Sequence, residues 1–252
     1  MRTGLILLLP ALLLFTLALS GCGRPKTAPP PPGIAADFKK AEQEHEAGHH
    51  QSAIESWQKV RDAFHSPELT TLAELRIADA YYESGQTIEA IAAYEDFLKQ
   101  HPEHVHTSAV LLRLGKAHFS EMRGIDQDQS ATRNALASFE QLKRQDPAYA
   151  DSAELDSLIR QCRDRLAGQE RYVADFYRKT KRYDAAIKRY RDLLNNYPET
   201  SERDQVRFGL AQAYAAAGQR DEALALLNAL EQQASSIELR KQLRKFRSKQ
   251  RI

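Results

Sequence analysis

Chemistry-bearing signatures are what this 252-residue chain has least of. It carries no Gly-rich phosphate loop, no nucleophile elbow and no paired-cysteine site, so nothing in it argues for an enzyme or a cofactor. Beyond residue 33 glycine and proline are rare outside turns, as in a soluble helical domain. Lys and Arg (36) nearly balance Asp and Glu (34), which gives no general basic surplus to recommend a nucleic-acid partner. Long apolar runs are missing everywhere except at the start, from Leu5 to Leu19. No other long apolar segment exists.

The run ends in Leu19-Ser20-Gly21-Cys22, which resembles a bacterial lipobox. Arg2 supplies a minimal positive n-region, and the apolar stretch is too short to span a bilayer comfortably. Ser20 and Gly21 are small enough to admit a peptidase before Cys22. Residues 1–21 are therefore expected to be a signal peptide, and Cys22 the acylated first residue of the mature chain. A transmembrane anchor with Cys22 a bystander fits less well, because a polar, Pro-rich stretch begins abruptly at Gly23. In lipoproteins similar to this one, Asp after the cysteine is the usual inner-membrane retention signal. Gly23 stands there instead, which favours a lipid anchor in the outer membrane with the body in the periplasm. Residues 22–33, with Pro29-Pro30-Pro31-Pro32, read as a spacer. At ~3.1 Å per residue in polyproline geometry it would hold the body roughly 35 Å from the lipid. Acylating Cys22 leaves only Cys162, so no internal disulfide can form. Cys162 lies in the helical apolar pattern Leu155, Leu158, Ile159, Leu166 and is expected to be a packed core residue.

Internal repetition organises the rest. An alanine followed four residues later by a large apolar residue recurs as Ala53/Trp57, Ala90/Tyr94, Ala135/Phe139, Ala186/Tyr190 and Ala223/Leu227. Pro67, Pro102, Pro147 and Pro198 follow the first four pairs, where second helices would stop. Gly48, Gly85 and Gly218 fall between paired helices. This pattern resembles the tetratricopeptide repeat: alanines let two helices approach, aromatics fill the gap to the next repeat, and proline ends the second helix. The expected fold is an all-α tetratricopeptide-repeat solenoid of five repeats over residues 34–235. A basic amphipathic helix over 236–252 closes it.

Repeat spacing is irregular in an informative way. Ala53 to Ala90 and Ala186 to Ala223 are 37 residues apart, but Ala90 to Ala135 is 45 and Ala135 to Ala186 is 51. The third repeat should carry an insertion around Met122 to Asn134. An extra helix from Asp151 to about Leu166 should run on into repeat four, since nothing breaks Ser152 to Thr180. The insert reads Gly124-Ile125-Asp126-Gln127-Asp128-Gln129-Ser130-Ala131-Thr132. The later stretch contains Arg163-Asp164-Arg165-Leu166-Ala167, Phe176-Tyr177, Tyr183-Asp184-Ala185-Ala186-Ile187 and Tyr197-Pro198-Glu199-Thr200. Together these resemble the BamD family, the tetratricopeptide lipoproteins of the outer-membrane β-barrel assembly machinery. The resemblance implies no catalytic activity. It implies a scaffold that docks to a BamA-like barrel protein beside other assembly-complex lipoproteins and recognises unfolded outer-membrane proteins with its N-terminal repeats. The chain departs from the family at Phe64-His65-Ser66-Pro67, where an aromatic-proline pair is usual. A different periplasmic repeat lipoprotein, such as a secretin pilotin, is the rival reading, though a simple array would lack the insert and the long helix.

Specific residues follow from the repeat register. First helices should line a groove with Phe38, Glu42, His45, Leu75, Asp79, Tyr82, Leu112, Lys116 and Phe119, a mixture suited to an extended or turn-forming peptide. Barrel substrates of the machinery end in an aromatic residue and a free carboxylate, which Tyr82, Phe119 and Lys116 would receive. Arg189 stands where the family's fourth repeat presents an arginine toward BamA, at the edge of the packed face about 300° around from Ala186. His45-Glu46-Ala47-Gly48-His49 matches the zinc-protease pattern H-E-x-x-H. Gly48 should end the helix before His49, so a hydrolase is a poor reading and no metal site is expected. His101, His104 and His106 are expected to form a solvated turn beside Pro102. From Arg240 onward there are seven basic residues and no acid, with Leu239, Leu243 and Phe246 at helical spacing. That stripe should cap the last repeat.

Overall fold

A computed structural model describes residues 32–63, 66–149, 151–233 and 236–250. The leader, Cys22 and nearly all of the Pro-rich spacer lie outside these residues, as do Phe64 and His65. Every regular element among the described residues is helical: α1 (Pro32–Glu46), α2 (His50–Asp62), α3 (Pro67–Glu83), α4 (Thr87–Gln100), α5 (Thr107–Ser120), α6 (Ser130–Gln145), α7 (Ala153–Lys179), α8 (Tyr183–Asn196), α9 (Arg203–Ala216), α10 (Arg220–Gln233) and α11 (Ile237–Gln250). A 3₁₀ turn at Pro147–Tyr149 precedes α7. No described helix is long and apolar enough to cross a membrane.

Neighbouring helices pair as α1/α2, α3/α4, α5/α6, α7/α8 and α9/α10, and each pair packs on the next. The turns inside four pairs share one geometry. Gly48, Gly85 and Gly218 adopt φ of +78°, +79° and +83°, the left-handed region that glycine enters without a Cβ clash. Lys181 takes φ +63° in the same place, at a cost of roughly 1–2 kcal/mol for a residue with a Cβ. The backbone bonds match too: the Arg182 amide donates to Tyr177 O at 2.9 Å, as the Gln86 amide does to Tyr81 O.

The five alanine pairs are the steric centre of the stack. Ala53, Trp57, Ala90, Tyr94, Ala135, Phe139, Ala186, Tyr190, Ala223 and Leu227 are all fully buried. Small residues face them from the first helices: Ala41, Ala78, Ala174 and Ala211 are buried, as is Gly115 in α5. Side chains of this size let paired axes come close, and the aromatics reach across to the following pair.

The prolines work from the other end. Pro67 is the first residue of α3, where its missing N–H is no loss, and Ser66 caps the helix by accepting from the Leu69 amide at 3.4 Å. Pro102 and Pro198 directly follow His101 and Tyr197, the C-cap residues of α4 and α8.

The two irregular spacings become one structural device. The insert is the 121–129 connection between α5 and α6, organised by Gln129, which is 1% exposed. Its side-chain Nε2 donates to Gly124 O at 2.7 Å and to Gln127 O at 3.1 Å, and its side-chain Oε1 accepts from the Thr132 hydroxyl at 2.9 Å. Ile125 then reaches α7 at Gly168, where an added Cβ would stand 3.1 Å from the isoleucine methyl. Helix α7 is continuous for 27 residues, from its Ser152 cap to Thr180. At 1.5 Å per residue it extends roughly 40 Å and so joins the insert-bearing pair to the last two. α11 covers the far end: Leu239 and Leu243 are buried with Phe208, Leu227 and Leu230, and Phe246 meets Phe208 edge-on at 5.8 Å.

Candidate functional site: the inner faces of the first helices

Residues in matching register on α1, α3 and α5 form a ladder of opposite charges. Arg76 donates to Glu42 at 2.9 Å and approaches Asp79 at 3.9 Å, and Arg113 meets Asp79 at 3.0 Å. Lys116 continues the series to Glu154 of α7 at 2.8 Å. Asp79 also accepts from the buried Tyr94 hydroxyl at 2.7 Å. Burial pushes the Asp79 carboxyl up, against Arg113, Tyr94 and Arg76, which all favour its charge. The pattern recurs in α7/α8, where the Tyr190 hydroxyl donates to Asp175, and Arg171 and Arg178 flank that carboxylate at 3.5 and 3.1 Å. Each tyrosine lies 15 residues after its aspartate, so one turn-and-pair geometry builds both clamps.

This geometry corrects the expected groove at two positions. Leu75 is 3% and Asp79 6% exposed, so neither presents a surface to a ligand; Leu75 packs with Tyr94 and Phe97, and Asp79 serves the ladder. The others remain partly accessible. Phe38 leans on Trp57 at 6.5 Å, Tyr82 rests on the α3/α4 core, and Leu112 and Phe119 edge the α5/α6 core, with Phe119 6.4 Å from Phe139. Glu42 and Lys116 are half-buried and paired, and His45 lies against Trp57 at 5.3 Å.

The H-E-x-x-H pattern is not a helical pair. α1 ends at Glu46, Gly48 turns left-handed, and His49 is the exposed residue before α2. His101, His104 and His106 stack in the α4–α5 turn, where His101 meets Glu74 at 2.7 Å.

In the C-terminal half, the two ends of the later family-like stretch touch each other. Asp164 of α7 accepts from the Thr200 hydroxyl at 2.8 Å, the Ser201 amide at 3.0 Å and the Ser201 hydroxyl at 2.9 Å. It thereby ties the α8–α9 turn to the long helix. Beside it opens a cleft of about 590 Å³ lined by Glu140, Lys143, Arg160, Arg163 and Tyr197 among others. Arg189 is 45% exposed, yet its guanidinium already donates to Glu170 at 3.0 Å. Two exposed aromatics of α7, Tyr172 at 51% and Phe176 at 56%, are not among the expected site residues. Their signal is an i,i+4 aromatic pair on the polar side of the helix. Cys162 is fully buried, and burial with the Glu140 charge pushes its thiol up to about 12.

Stacked helical hairpins with a charge ladder across their first helices define a fold of the tetratricopeptide-repeat class. The particular family is then shown by sequence: residues 34–228 match the family described as YfiO, outer membrane lipoprotein, and the chain belongs to it. Among its relatives is the outer membrane protein assembly factor BamD of Rickettsia prowazekii, 27% identical over 221 residues and covering 86% of each chain. That of Neisseria gonorrhoeae is 26% identical over 200 residues, covering 73% of this chain and 75% of its own. That of Vibrio cholerae is 26% identical over 199 residues, covering 73% and 82%. The TPR2AB domain of yeast Sti1 overlays with a TM-score of 0.41 at 17% identity, over 82% of this chain and 80% of that one. Each of these three relatives is an outer membrane protein assembly factor by name.

Proposed function

We propose that this chain is the repeat lipoprotein of a β-barrel assembly machinery. It is held to the outer membrane by acylated Cys22 and faces the periplasm. Its N-terminal repeats receive unfolded barrel proteins, and its C-terminal half docks to a BamA-like barrel protein. The observation that carries this reading is the family match over residues 34–228, which runs through the insert, the long helix and the Asp164 tie. On the substrate side, Tyr82 and Phe119 offer partly exposed rings on neighbouring first helices, with Lys116 one turn before Phe119. The present partner of Lys116 is Glu154, whose side chain is 66% exposed. Exposed ion pairs are screened by water and contribute little, so a substrate carboxylate can exchange with Glu154 at small cost.

On the docking side, the Glu170 pairing changes how Arg189 must be tested. Arg189→Glu would set two carboxylates against each other within the chain, so Arg189→Ala belongs beside it. Truncating one partner of a desolvated interfacial charge pair costs ~2–5 kcal/mol. Both variants are expected to lose co-purification of the barrel protein from detergent extracts. Arg189→Ala should keep the wild-type melting temperature, because the internal pair is exposed. Undiminished co-purification with both variants would take Arg189 out of the interface.

A further inference from the structure

The sequence pattern around His45 pairs it with the wrong histidine. The left-handed turn at Gly48 carries His49 outward and brings His50, the first residue of α2, back against the last turn of α1. The Nδ1 atoms of His45 and His50 stand 3.3 Å apart, with the rings edge-on at 5.1 Å. Glu83, the last residue of α3, places Oε2 3.2 Å from His45 Nε2. One donor atom from each of the three residues lies within 4.8 Å of the others. Two nitrogens bound at ~2.0–2.1 Å to a tetrahedral ion are themselves about 3.3 Å apart, which is the spacing of the two imidazoles. One of those nitrogens must carry a lone pair for the His–His contact to be a hydrogen bond, and a lone pair is what a metal takes.

The donor set selects the ion. Two imidazoles with one carboxylate suit Zn²⁺ and its transition-metal neighbours, whereas Mg²⁺ and Ca²⁺ require oxygen cages. Rigidity differs among the ligands in a useful way. His45 is held between Trp57 at 5.3 Å and His50, while the Glu83 side chain is 53% exposed; its carboxylate faces the other nitrogen of His45, Nε2, and must swing round to meet an ion held between the two Nδ1 atoms. From this geometry we infer that His45, His50 and Glu83 form a Zn²⁺ site that clamps the turn of the first helix pair to the end of α3, with water completing the shell. The ion would stiffen the junction between the first two repeats. No hydrolytic role follows.

The test uses the full-length lipoprotein in detergent micelles, untagged, with His101, His104 and His106 replaced by Gln to remove the other imidazole cluster. Co²⁺ serves as the spectroscopic probe, and Zn²⁺ titration calorimetry gives affinity and stoichiometry. The expected result is one ion per chain, visible d–d bands of a four-coordinate centre and a melting temperature raised by Zn²⁺, since only the folded chain holds the ligands together. His50→Ala and Glu83→Gln, made singly in that background, should each weaken Zn²⁺ at least about tenfold, the loss that even an outer-shell partner causes. Glu83 is a surface residue, so its variant will fold. Absence of binding in the background chain overturns the inference, and so does unchanged affinity in either variant.

Discussion

Gly115→Ala is the smallest change that tests how the third helix pair is closed. An ideal Cβ at position 115 would lie 2.4 Å from Phe139 Cε1 and 2.6 Å from Cδ1. Carbon atoms pack at ~3.5–4.0 Å, so the ring or the helix must yield by about 1 Å or more. Phe139 has no room to yield: it is fully buried among Leu111, Leu142, Leu155 and Cys162. Overpacking of this kind costs ~1–3 kcal/mol. A contact this short belongs in the upper part of that range, about 2–3 kcal/mol; removing a mid-helix glycine returns ~0.8–1.0 kcal/mol of helix propensity, which leaves a net loss of about 1–2 kcal/mol. At ~2–4 °C per kcal/mol for a chain of this size, the melting temperature should fall by roughly 2–8 °C, read by circular dichroism. Phe139→Leu destabilises alone by opening a cavity, but combined with Gly115→Ala it also relieves the clash. The double mutant should therefore be less destabilised than the sum by about 0.5–3 kcal/mol. A melting temperature at or above wild type for Gly115→Ala, with an additive double mutant, would refute close approach of α5 and α6 through this residue.

Two further outcomes follow from buried groups. Cys162, with its thiol raised to about 12 by burial, should resist iodoacetamide at pH 8 in the folded chain and react only as urea unfolds it. Rapid labelling of its tryptic fragment under native conditions would contradict that. Burial holds His118 below its ordinary value of 6.5, opposed by the Glu95 carboxylate 3.7 Å away. A depressed folded value means the contribution is present above about pH 6.5 and is lost as pH falls from there through the folded value. Acidification from pH 7.5 to 5.5 should thus lower the wild-type melting temperature more than that of His118→Leu, and parallel curves would exclude His118 as a source of the loss.

Whether a feature is legible in the sequence depends on how local its cause is. The alanine pairs are legible because each enforces the same contact between adjacent helices, and the repetition multiplies a weak signal five times over. The continuous α7 is legible because its 27 residues contain no proline and only one glycine, Gly168. Burial of Asp79 is not, although its register position is right. What decides that burial is the Tyr94 hydroxyl, 15 residues on, and Arg113, on the next first helix. The same register position holds Glu42 in α1 and Lys116 in α5, both half-buried, so periodicity places the position but not its depth. The turn at Lys181 is hidden because no glycine marks it, and the His45–His50 pair because one left-handed residue shifts which side chain returns to the helix. Asp164 shows the same limit from the opposite side. Its stretch and the Tyr197-to-Thr200 stretch are each family-like in sequence, yet only the fold reveals that one carboxylate joins them through three hydrogen bonds. A motif of this kind records an intramolecular tie, so a substitution at Asp164 should act first on the α8–α9 turn and only through it on any partner.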